Sequence, residues 1–200
     1  LNAVPAQAGD CFYIPAGTIH AICKGVVVAE VQQNSNVTYR VFDYDRTDAL
    51  GNKRELHITK ALDVARCAPN YTQHHFGNHM VRCHYFTADI LRGSNISDVV
   101  TDKSFVSLVV LSGEGKLLHV DSDGNETTME IKKGESYFID AASEGVEETF
   151  KLIGENLNVL KKRLIPFFFI SLEQKLQLFV WLFGLFARLF FFHLVGLGHS

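Results

Sequence analysis

His20, Glu30 and Arg40 stand at intervals of ten residues, and together their side chains could move protons on a small polar substrate. A neutral imidazole is a good metal ligand. A carboxylate can carry a proton. A guanidinium keeps its charge at every accessible pH and offers a planar fork of donors to developing negative charge. His20 lies just past the turn Pro15-Ala16-Gly17-Thr18, which follows the aromatic run Cys11-Phe12-Tyr13-Ile14. Glu30 opens a further extended stretch and Arg40 closes it. On extended backbone, Glu30, Gln32 and Asn34 share one face and would form a polar wall. On spacing alone, each residue also has a plainer reading: a hydrogen-bonded surface imidazole, a solvated arginine, a structural acid.

Residues 11–14, 26–31 and 38–44 read as short strands bounded by Gly, Pro and Asn. Residues 49–54 form a polar turn. The spacing of Leu56, Ile58, Ala61, Leu62 and Val64 predicts a short helix within 55–65. A loop over 69–77 carries His74 and His75, which as neighbours would point to opposite sides of an extended chain and so do not pair as ligands. A second β-rich block runs from Met80 to about Leu152, with turn signals at 92–95, 112–115 and 121–125. Short strands at regular spacing suggest a small barrel or sandwich, ending near 150–153, with the charged run Lys161-Lys162-Arg163 beyond it.

A faint internal repeat links the two β-rich blocks. Residues 134–143 echo residues 9–18 at an offset of 125, acid on acid and aromatic on aromatic, which points to two units of similar plan. At that offset the place of His20 falls on Gly145, so the second unit would lack the ligand. Residues Asp43 to Arg46 read as a strand-end network holding Arg40.

A net charge of -3 leaves no basic footprint for nucleic acid. Cys11, Cys23, Cys67 and Cys83 lack any C-x-x-C pair and read as reduced, buried thiols of a cytoplasmic protein. The opening residues carry no signal-peptide pattern, and the chain reads as the C-terminal part of a longer protein. After Leu164 the composition changes. Nine of the sixteen phenylalanines fall in the last 37 residues, and Leu178 to Leu197 is long enough to span a bilayer. Arg188 near the centre of that run makes it a marginal span, worth about zero on an insertion scale.

The run Ile14-Pro15-Ala16-Gly17-Thr18-Ile19-His20-Ala21, followed by Glu30-Val31-Gln32-Gln33-Asn34-Ser35-Asn36-Val37-Thr38-Tyr39-Arg40-Val41-Phe42-Asp43-Tyr44-Asp45-Arg46, resembles the type I mannose-6-phosphate isomerases of Gram-positive bacteria. Arg54-Glu55-Leu56-His57-Ile58 and Lys60-Ala61-Leu62-Asp63 fit the same pattern. The likeness is strong over residues 4–64, looser to about 153, and absent from the tail.

The resemblance implies a mainly β protein of two cupin-type barrel halves with a short helix between them. Residues 1–66 would be the end of the catalytic cupin, 67–155 a second, metal-free cupin-like domain, and 156–200 an atypical Phe/Leu-rich tail. It implies zinc-dependent interconversion of mannose 6-phosphate and fructose 6-phosphate, with one zinc per full-length subunit. His20 then resembles the last zinc ligand, Arg40 the catalytic arginine, and Glu30 an acid of the same pocket that either carries a proton or orients its neighbours. The family's other zinc ligands precede this region. The competing class is a non-catalytic cupin module that binds sugar or stabilises a partner domain; a membrane-attached protein is a third reading, resting on the tail alone.

Overall fold

A computed structural model describes residues 3–33, 37–67 and 78–165. His74, His75, Asn34 and the Phe-rich tail lie outside the described residues. The chain divides into two compact units, with the boundary between Gln73 and His74.

The first unit is built from turns. Strands expected at 11–14, 26–31 and 38–44 do not form as regular strands; Phe12 and Glu30 are single bridge residues. A strand exists only through a hydrogen-bonded neighbour, and β propensity in these runs meets isolated bridges among the described residues. The turn Pro15–Thr18 does form: Thr18 N–H donates to the Pro15 carbonyl at 3.2 Å, with Gly17 at φ +82°. A Cβ on Gly17 would stand 2.5 Å from the Val64 carbonyl, so only glycine fits. Asp43 to Arg46 make a second turn, closed by Arg46 N–H to the Asp43 carbonyl at 3.0 Å. Tyr44 and Asp45 both sit at φ +53°, a strained conformation for a tyrosine. The polar turn forms around Asp48, whose carboxylate accepts the Leu50 and Asn52 amides at 2.8 and 2.9 Å. The helix α1 spans Ile58–Val64, inside the expected range. Only Ala61 of it is buried; Cys11, Ala29 and Val31 are the other buried apolar residues described in this unit. The four cysteines are unpaired, yet only Cys11 is buried; Cys23 and Cys67 are exposed.

The second unit is one antiparallel sheet of six strands: β1 (His79–Arg82), β2 (Phe86–Thr101), β3 (Val106–Val120), β4 (Glu126–Lys132), β5 (Ser136–Ile139) and β6 (Glu147–Leu164). The order is β1-β2-β6-β3-β4, with β5 also paired to β3. The turn at 121–125 appears as expected: the Asp121 carboxylate accepts the Asp123 and Asn125 amides at 3.0 and 2.8 Å.

The segments 92–95 and 112–115 are not turns between strands. They are irregular points inside β2 and β3, where the register shifts between Gly93 and Asn95 and again between Val110 and Glu114. β6 bends at the same level, with Gly154 opposite Gly115. Three long strands therefore bend along one line, as bulges and glycines turn a sheet through a corner. The bend folds the sheet over itself. Val106, Leu108, Val110, Leu157 and Val159 from one half share a core with Leu117, Ile131, Phe150 and Leu152 from the other.

The last strand also runs further than the pattern suggested, to Leu164. Lys161 and Lys162 are buried strand residues, not a solvated run. Alternation explains both, since successive side chains leave opposite faces. Lys161 Nζ reaches Asp98 at 2.5 Å and Asp89 at 3.2 Å across the interior. Burial pushes the Asp98 carboxyl up, but the Lys161 hydrogen bond, the Val99 amide and the Lys161 and Arg163 charges together hold it below its usual range. Lys162, on the other face, stands 4.6 Å from the Phe86 ring centroid.

Candidate active site

The turn that presents His20 also sets its tautomer. Nδ1 lies 2.8 Å from the Thr18 carbonyl, which can only accept, so Nδ1 carries a proton and Nε2 is the nitrogen that could ligate a metal. The side chain is exposed. Glu30 is half-buried, and burial raises its carboxyl above the ordinary range, a condition that favours a proton carrier near neutrality. Nearby in sequence, Gln33 has a buried Oε1 that accepts no hydrogen bond.

Arg40 is held from several directions. Its side chain is 24% exposed, with Nε 3.8 Å from Asp43 Oδ1 and Nη1 donating to the Glu55 carbonyl at 3.4 Å. Its backbone N–H donates to His57 Nδ1 at 3.2 Å, and its carbonyl accepts from His57 N–H at 2.7 Å. Asp43 is 7% exposed and serves three guanidinium groups. Arg54 binds it through Nε at 2.6 Å and through Nη2, and Arg46 Nη2 reaches Oδ1 at 2.8 Å. The Arg54 hydrogen bond is the main cause that keeps this carboxyl below its usual range, against a smaller opposing effect of burial. The expected Asp43-to-Arg46 network is therefore only partly what holds Arg40. Asp45 turns to Lys53 at 2.6 Å, and the guanidinium of Arg46 stands 5.6 Å from the Tyr44 ring centroid.

Sequence reasoning did not single out Arg54 and His57 as partners of the site. The signal was available: one basic and one imidazole side chain, three residues apart, just after a polar turn. Their bonds to Asp43 and Arg40 span 11 and 17 residues, and no local periodicity encodes such a span.

The repeat survives with a change of register. Gln7–Asp10 and Lys132–Glu135 are equivalent turns, each closed by an N–H to carbonyl bond of 3.1 Å, with Gly9 at φ +96° and Gly134 at φ +90°. The partner of the Pro15–Thr18 turn, however, is Ser143–Val146, closed at 3.0 Å with Gly145 at φ +75°. Gly145 thus matches Gly17, an offset of 128 instead of 125, and the position of His20 falls on Glu148, not on Gly145. Glu148 is buried and accepts from His119 Nε2 at 2.9 Å and from Ser122 N–H at 3.3 Å. Among the described residues, no three His, Cys, Asp or Glu side chains converge to hold a metal ion.

No family model matches the chain. It is 36% identical to the mannose-6-phosphate isomerase ManA of Bacillus subtilis over 145 residues, covering 68% of this chain and 44% of that protein. Over 64 residues it is 55% identical to a mannose-6-phosphate isomerase of Streptococcus mutans, covering 32% of this chain and 20% of that one. The crystal structure of the mannose 6-phosphate isomerase from Bacillus subtilis superimposes with a TM-score of 0.50 at 28% identity, over 65% of this chain and 41% of that chain. The chain spans less than half the length of the curated relatives it matches. A mainly antiparallel β architecture, 36% identity to ManA over 68% of this chain and a common backbone together place the chain in the type I mannose-6-phosphate isomerase family of cupin proteins.

Proposed function

We propose that this chain supplies part of the active site of an enzyme that interconverts mannose 6-phosphate and fructose 6-phosphate in the cytoplasm. The observation that carries the reading is the held guanidinium of Arg40, in a chain 36% identical to ManA. We assign residues 1–66 to the catalytic cupin and the following block to a second, structural cupin-like domain.

The reaction moves a proton between C1 and C2 of the sugar through an enediolate. Arg40, partly withdrawn from water and permanently charged, would hold the negative charge that develops on the oxygens. Glu30, its carboxyl raised by burial, would carry the proton or orient its neighbours. Zinc is expected from the resemblance, with His20 Nε2 as one ligand. The described residues offer no ligand set beyond that imidazole, so they do not fit a zinc site by themselves. That same shortfall favours the second reading, a non-catalytic cupin module, for the chain taken alone.

The test is a chimera that joins this chain to the part of ManA it does not cover. Arg40→Ala should lower turnover roughly 100-fold or more while metal content stays constant. Arg40→Lys should recover only part of it, because an ammonium cannot reproduce the planar fork. Near wild-type turnover in Arg40→Ala would remove the residue from the reaction.

A further inference from the structure

We propose that His57 is a positioning residue for Arg40, and that helix α1 fixes Arg40 relative to the turn that presents His20. The inference rests on the reading of Arg40 as the charge-holding group. His57 and Arg40 exchange two hydrogen bonds, His57 N–H to the Arg40 carbonyl at 2.7 Å and Arg40 N–H to His57 Nδ1 at 3.2 Å. The second is unusual: an imidazole nitrogen replaces the backbone carbonyl that a strand pair would offer. Nδ1 can accept only while it carries no proton, so this bond uses the tautomer with its proton on Nε2.

The side-chain contacts of Arg40 are long, at 3.8 and 3.4 Å, so its aim depends on where its backbone is held. The counter-charge it leans on is itself fixed from the same segment, since Arg54 grips Asp43 three residues before His57. His57 then caps α1, with Ala61 N–H donating to its carbonyl at 2.8 Å. The far end of α1 is fastened to the His20 turn: Arg66 N–H donates to the Gly17 carbonyl at 2.8 Å. Gly17 leaves no room for a Cβ against Val64, the last residue of the helix. One helix of seven residues, about 10 Å long, thus ties Arg40 at one end to the His20 turn at the other.

Two variants separate this role from general stability. An asparagine places Oδ1 where His57 has Nδ1 and can accept the Arg40 amide, whereas glutamine places its acceptor one bond further out. In the 200-residue chain, hydrogen exchange at the Arg40 amide should accelerate about 10-fold or more in His57→Gln and stay close to wild type in His57→Asn. In the ManA chimera, His57→Gln should lower kcat about 10-fold with KM changed far less, and His57→Asn should restore most of it. Equal behaviour of the two variants at the Arg40 amide would overturn the inference whatever the kinetics. Loss of amide protection in His57→Gln with unchanged kcat would confirm His57 as the holder of Arg40 and overturn instead the catalytic role given to Arg40.

Discussion

Lys162 shows how far a residue's chemistry can depart from its type. It is 2% exposed, and burial brings its ammonium down to about 8, opposed only in part by the charge of Cys83. Between that value and the ordinary 10.5, the unfolded chain binds more protons than the folded one, so this group makes stability rise with pH across that window. Below about 8 its cost is complete, on the order of 3 kcal/mol from the size of the shift. Lys162→Met should therefore stabilise the second unit at pH 7 and flatten its gain between pH 8 and 10.5, measured as the difference in urea midpoint from wild type. A mutant with an unchanged midpoint at pH 7 would mean that the cost is offset locally. Nothing in Lys161-Lys162-Arg163 announces burial, because Phe86, Asp89 and Asp98 all lie more than 60 residues upstream. His20, Glu30 and Arg40 stand out in the sequence for the opposite reason: short turns and a long family-like run mark them locally. Arg54 and His57 act only through the turns that bring them back.

At the scale of elements, the common bend of β2, β3 and β6 decides the architecture. Ser112-Gly113-Glu114-Gly115 reads locally as a turn, and a bulge uses the same residues; only its alignment with Gly93 and Gly154 separates the two. A Cβ on Gly115 would run into the Ile153 carbonyl, and one on Gly154 into the Glu114 carbonyl, both backbone and unable to yield. Gly154→Ala should cost about 3 kcal/mol or more, since the strands must part. Gly124→Ala, at a positive φ that Gly154 does not have but with open space around it, should cost only about 1 kcal/mol. Urea denaturation of the two variants separates close approach from backbone strain; equal losses would refute the close approach at Gly154. In the first unit, Gly17→Ala should cost more than Gly124→Ala, because it meets Val64 as well as an unfavourable φ.

At the scale of the molecule, the last described strand of the second unit ends at Leu164 and not near residue 153. The Ile165 amide still bonds to the Tyr85 carbonyl at 2.8 Å, beside the start of β2. A chain cut after Ile165 should keep a cooperative unfolding transition for the second unit. A cut after Lys151 removes Leu157, Val159 and Leu160 from the interior, and should abolish that transition in calorimetry. A cooperative transition surviving the shorter cut would show that β6 is dispensable beyond its first residues. The class of fold was legible because turn residues and β-rich runs recur across residues 80–152. Strand number and length were not, because glycine and asparagine mark bends and reversals alike. Among the described residues, no helix is long and apolar enough to cross a membrane.

The last of the described strands is also the one that sits between β2 and β3. Until residues 147–164 have left the ribosome, two long strands wait with hydrogen-bonding edges that have no neighbour. Such edges recruit whatever strand is near, including those of another nascent chain. Synthesis at about 5–20 residues per second keeps them waiting for seconds. The yield of folded protein in a cell should then depend on how quickly the ribosome passes this stage: slow codons placed after residue 120 should raise the aggregated fraction, and the same codons placed before residue 86, where β2 is not yet made, should not.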